Sequence, residues 1–132
     1  MVPIDRDGNR MHTISVVANI RVPDIESAKS FYTDYLGLSS EMFSLGWVLQ
    51  FASPAASAPS TGARLQLVTH DATAPEDSVI SVHTDDVEGA YEEALELGYE
   101  IVHPLTTEGW GVRRFFVRAP DGAVVNIVRH AD

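Results

Sequence analysis

Two stretches of this chain share one pattern at a displacement of 62 residues (Asp86 less Asp24), and that repetition restricts the possible folds severely. Arg21-Val22-Pro23-Asp24-Ile25-Glu26-Ser27-Ala28 reads as the end of a strand, a turn and the start of a helix. His83-Thr84-Asp85-Asp86-Val87-Glu88-Gly89-Ala90 reads the same way. Each predicted helix closes on a glycine, Gly37 in the first copy and Gly98 in the second. A spacing this long is no solenoid period; it predicts two copies of one half-domain packed together, with function between them.

The first copy opens on an alternating strand, Thr13 to Arg21, with Ile14, Val16, Ala18 and Ile20 on one face and Ser15, Val17, Asn19 and Arg21 on the other. Pro23 ends the strand and Asp24 caps a helix whose apolar stripe is Ile25, Ala28, Phe31, Tyr32, Tyr35 and Leu36. Short strands follow at Glu41–Phe43, Trp47–Ala52 and Arg64–Val68, with 53–62 as a hairpin loop of small residues. The stretch from His70 to Asp77 connects the copies. In the second copy, strand Ser78–His83 leads to a helix capped by Asp86, with Val87, Ala90, Ala94, Leu95 and Leu97 as its stripe. Strands Glu100–Leu105, Val112–Val117 and Ala123–Arg129 complete it, the last two joined by the turn Ala119-Pro120-Asp121-Gly122. The order is βαβββ twice: an α+β fold in one domain, residues 1–132, with module one about 13–69 and module two about 78–130.

With 132 residues the chain is long enough for a real core, and 45% apolar with 21% charged residues is ordinary for a soluble domain. The absence of cysteine excludes disulfides, thiolate metal sites and cysteine nucleophiles. A net charge of −10 disfavours nucleic acid and anionic membranes as partners. No apolar run reaches a membrane span, and Asp5, Arg6, Asp7 and Arg10 break up any signal core, so a cytoplasmic location is expected. No Ser-His-Asp, P-loop or dinucleotide fingerprint appears.

The layout resembles the vicinal oxygen chelate superfamily, which includes glyoxalase I, extradiol dioxygenases and fosfomycin- and bleomycin-resistance proteins. The resemblance rests on Arg21-Val22-Pro23-Asp24 into Phe31-Tyr32 and Leu36-Gly37-Leu38, on Val82 to Val87, and on Pro120-Asp121-Gly122 before the last strand. It implies two βαβββ modules forming a curved mixed sheet around a cleft, with helices on the outer face. Enzymes of the family hold a divalent metal there, on His from the first strand and Glu, Gln or His from the last strand of each module. The matching positions here are Val17, Gln66, Val79 and Asn126. Valine has no donor atom, and neutral amides are weak ligands for a divalent ion. The resemblance therefore implies a member with no metal and no other cofactor.

Strand parity predicts an open face carrying Ser15, Val17, Asn19, Arg21, Arg64, Gln66, Val68, Ser81, His83, Asn126 and Val128. Amides, a hydroxyl and an imidazole among valines suit a small-molecule pocket. Trp47, Phe51, Trp110, Phe115 and Phe116 are expected to line or rim it, and Gly109-Trp110-Gly111 is similar to the Trp-Gly sequence of bleomycin-resistance relatives. Glu108 is expected at the mouth, where it would meet a cation, and His83 as a hydrogen-bonding or titratable contact. His12 and His130 are expected in solvent.

Taken together, these features predict a homodimer that sequesters an aromatic or cationic, antibiotic-like compound. The expected ligand-binding residues are Asn19, Arg21, Trp47, Gln66, His83, Glu108, Trp110 and Asn126. No catalytic set is assigned. The alternative is a lyase, isomerase or dioxygenase of the same superfamily, with a displaced metal site or metal-free acid–base chemistry at His83.

Overall fold

The computed structural model describes residues 11–54 and 63–130. The chain forms two compact units: one is Val17–Thr73, and the other runs from Ala74 onward and includes the residues before Val17. The greater part of the predicted 53–62 loop lies outside the described residues.

The Val17–Thr73 unit holds strands β1 (Ser15–Arg21, its first two residues counting with the other unit), β2 (Ser40–Ser44), β3 (Val48–Ala52) and β4 (Arg64–Val68), in the order β2-β3-β4-β1. β1 and β4 run parallel, pairing Asn19 with Gln66 and Arg21 with Val68, and the other neighbours are antiparallel. The Val22 amide makes a last ladder bond to the Val68 carbonyl at 2.9 Å, and Pro23, having no N–H, stops the ladder. Asp24 then caps helix α1 (Ile25–Ser30), its carboxylate accepting from the Ser27 amide at 3.1 Å.

α1 continues from Phe31 to Tyr35 as a wider π turn, closed by the Leu36 amide on the Phe31 carbonyl at 3.1 Å. The Thr33 hydroxyl bonds the Lys29 carbonyl at 3.2 Å, a contact that competes with regular helix bonding. The widening corrects the expected apolar stripe. Tyr32 packs on the core of Ile25, Leu38, Leu49, Phe51 and Leu67, with Ile20 and Ala28 beside it. Phe31, Tyr35 and Leu36 are instead exposed, Tyr35 at 78%, because the extra residue in the turn rotates them off the buried face.

The other unit holds β5 (Ile80–His83), helix α2 (Val87–Glu96), β6 (Ile101–Glu108), β7 (Val112–Arg118) and β8 (Val124–His130), with strand order β5-β8-β7-β6. β5 and β8 are parallel; β8–β7 and β7–β6 are antiparallel. Asp86 caps α2 through the Gly89 amide at 3.0 Å. Val87, Ala90 and Ala94 are buried against Val82, Phe115 and Ile127. Leu95 and Leu97, expected on this stripe, are 51% and 60% exposed. Tyr91 fills the space, meeting Phe115 edge-on at 5.0 Å. The turn between β7 and β8 closes through Ala119 N–H to the Ala123 carbonyl at 2.8 Å, with Gly122 at φ 95°.

Each unit is thus a βαβββ module with a mixed sheet and its helix packed on one face, the α+β plan of the sequence. One boundary differs in a way that matters: β6 extends to Glu108, so Thr106–Glu108 is strand rather than loop.

Candidate functional site

In each unit the sheet face away from the helix carries the polar residues. In the Val17–Thr73 unit, Asn19, Gln66 and Gln50 lie side by side across β1, β4 and β3. The Gln50 amide donates to Gln66 Oε1 at 2.9 Å, and the Gln66 amide donates to Asn19 Oδ1 at 2.6 Å. Arg21 is exposed and donates its Nε to the Thr69 carbonyl at 2.5 Å. The Thr69 amide bonds the Trp47 carbonyl at 3.0 Å, so Arg21 and the half-buried Trp47 meet through one residue. A cavity of about 180 Å³ in this unit opens elsewhere, lined by Asp24, Glu26, Lys29, Glu41, Ser44 and Thr69 among others.

The other unit carries the denser chemistry. Ser81 and Asn126 are cross-strand partners on β5 and β8, and Phe116 is the partner of Asn126 on β7. Asn126 is buried and donates its amide N–H to Ser81 Oγ at 3.0 Å. Its carbonyl Oδ1 is buried with no hydrogen-bond partner among the described residues. An unmet buried acceptor costs about 1–3 kcal/mol.

Beside it, Glu108, Arg114 and His103 form one buried cluster. Arg114 Nε donates to Glu108 Oε2 at 2.8 Å, and His103 Nε2 lies 3.2 Å from the same oxygen. His103 Nδ1 sits 2.8 Å from the Pro104 carbonyl, which can only accept, so Nδ1 carries a hydrogen. The Arg114 guanidinium stands 5.0 Å from the Trp110 ring centre and 4.8 Å from that of Phe116, within cation–π range. Glu108 was expected at a cleft mouth, meeting a ligand cation. It is instead 7% exposed at the end of β6 and engaged by the protein's own Arg114 and His103.

His83 lies on the open face as its parity requires. Its Nδ1 is 3.2 Å from Ser15 Oγ, and its Nε2 is 3.2 Å from His130 Nε2. His130 is exposed, as expected of a residue near the terminus, but its ring is paired with His83.

Among the residues predicted from sequence, the structure brings together Asn19 with Gln66 in one unit, and places Trp110, Glu108, Asn126 and His83 on the sheet face of the other. Gln50, His103 and Arg114 were missed. The Val112–Val117 strand was read without its parity, which would have set Arg114 beside Phe116. His103 could not be placed that way: its pairing with Phe116 depends on register shifts in β6 between Ile101 and Thr106.

The positions that hold metal in the family do not fit one here. Val17 is fully buried and Val79 offers only hydrocarbon. Gln66 is tied into the amide row and Asn126 to Ser81. Among the described residues no group of three or more His, Asp or Glu is placed to hold a metal ion.

Solved structures share the fold. A glyoxalase/bleomycin resistance protein/dioxygenase superfamily member from Vibrio splendidus 12B01 matches at TM-score 0.65 and 19% identity, over 89% of this chain and 99% of that one. A Legionella pneumophila protein described as an NAD-dependent benzaldehyde dehydrogenase matches at 0.66 and 18%, over 87% and 98%. Methylmalonyl-CoA epimerase from Mycobacterium tuberculosis matches at 0.58 and 18%, over 95% and 96%. At these identities the likeness carries the fold and no activity. No curated protein matches the sequence. The sequence model of the Glyoxalase/Bleomycin resistance protein/Dioxygenase superfamily matches residues 10–127, nearly the whole chain, and the protein belongs to that superfamily.

Proposed function

We propose that this protein is a binding member of the superfamily that sequesters a flat aromatic compound bearing an N–H or O–H donor, without using the family's metal. The supporting observation is Asn126 Oδ1, a buried acceptor with no partner among the described residues, on the sheet face that also carries Phe116 and Trp110. A donor on the ligand satisfies that oxygen, and an aromatic body stacks near the indole. The net charge of −10 favours a cationic ligand by long-range attraction. Internal pairing of Glu108 removes the local carboxylate once expected to grip that cation, so recognition rests on stacking and hydrogen bonding. Held this way, an antibiotic-like compound is kept from its target by binding alone, and a homodimer would present two such faces.

Tryptophan fluorescence titrated with metal-free bleomycin tests this. Saturable quenching is expected, weakened at least tenfold by Trp110→Ala and by Asn126→Leu, with circular dichroism and melting temperature preserved. Affinity unchanged in both variants would remove the proposed site.

A further inference from the structure

We propose that His83 and His130 form a two-imidazole binding site for a borderline divalent transition-metal ion such as Zn²⁺, Ni²⁺ or Cu²⁺. This site is distinct from the family's ligand positions and independent of the ligand-binding role proposed above. His83 lies four residues beyond Val79, and His130 four beyond Asn126, so the pair sits further along the same two strands.

The geometry is that of a chelating pair. The two Nε2 atoms face each other at 3.2 Å, with ring planes 8° apart and ring centres at 5.1 Å. Two nitrogens bound at about 2.0–2.1 Å to one tetrahedral ion are about 3.3–3.4 Å apart, so almost no movement is needed. The backbone fixes the arrangement, since β5 and β8 are parallel with His83 paired to Val128, and His130 follows two residues on along β8. The His83 carbonyl is held by the Ile14 amide at 2.8 Å, which pins this end of the strand.

Ser15 supplies the outer contact that metal-bound histidines use. With a metal on Nε2, the His83 hydrogen sits on Nδ1 and is donated to Ser15 Oγ, 3.2 Å away. Imidazole nitrogens select Zn, Cu and Ni over Mg or Ca. His130 is exposed, so an ion reaches the pair directly from solvent. With two protein ligands, the remaining coordination positions stay open to water or to a chelating small molecule.

The test is calorimetric titration of the untagged, metal-stripped full chain with ZnCl₂ at pH 7.5, alongside copper EPR. One Zn²⁺ per chain is expected, with superhyperfine structure from two nitrogens in the Cu²⁺ spectrum. His130→Gln should abolish the one-to-one event and remove one nitrogen coupling, while metal-free melting stays unchanged. Ser15→Ala should weaken binding roughly tenfold, the low end for losing an outer-shell partner. His70→Gln, at an exposed histidine elsewhere, should change nothing. Binding should weaken on acidification, because protons compete with the metal for the imidazole nitrogens. Absence of a one-to-one event at millimolar zinc, or binding indifferent to His130→Gln, would show that the two rings share only an N–H···N hydrogen bond and would overturn the site.

Discussion

Glu108 and Asn126 are both buried polar groups on one sheet, and they stand in opposite states. Glu108 Oε2 is met by both Arg114 and His103, whereas Asn126 Oδ1 has no partner among the described residues. Glu108→Ala strands Arg114 and His103 in the interior and should destabilise the fold by about 3–5 kcal/mol in urea denaturation. Arg118→Ala, which breaks exposed, solvent-screened pairs with Glu76 and Glu100, should leave the urea midpoint nearly unchanged. Asn126→Leu removes the unmet acceptor and should leave stability within about 1 kcal/mol while weakening ligand binding at least tenfold. The amide positions were legible from strand parity, most directly for Asn19 and Gln66, whose strands alternate polar and apolar residues. The Glu108 cluster was not, because His103 reaches it only through the irregular register of β6.

The strand–turn–helix openings were read correctly in both units, since Pro23 and the caps Asp24 and Asp86 act through local chemistry. The helix stripes were read only in part. Periodicity assumes 3.6 residues per turn and fails where α1 widens at Phe31–Tyr35. In α2 the stripe holds at Val87, Ala90 and Ala94 and fails at its end: Leu95 and Leu97 are exposed, while Tyr91 packs against the core. Val87→Ala should therefore cost about 1–3 kcal/mol and Leu95→Ala no more than about 0.5 kcal/mol. Equal losses for the two, measured by chemical denaturation, would restore the stripe expected from sequence.

Across the whole molecule, the internal repeat was the strongest signal, because two copies of one local pattern fix the βαβββ plan twice over. Charge is the other property of that scale. Arg113 donates its Nε to Glu88 at 2.7 Å and holds that carboxyl below the usual carboxylate range. A carboxylate with a depressed folded-state value contributes stability above its unfolded value of about 4.3 and loses it as pH falls through the lower folded one. Lys29 is shifted upward by its bond to Glu41; its contribution is complete below about 10.4 and is lost as pH rises through the higher folded value. Urea midpoints followed against pH should fall at both ends, and Arg113→Gln should flatten the acid limb alone.

The measurement that bears most directly on a metal-independent binding face is calorimetric titration of the full chain with metal-free bleomycin in the presence of EDTA. One saturable event per chain, weakened at least tenfold in Asn126→Leu, is the predicted result. No saturable binding in EDTA, with binding or turnover appearing only after a divalent metal is restored, would contradict it.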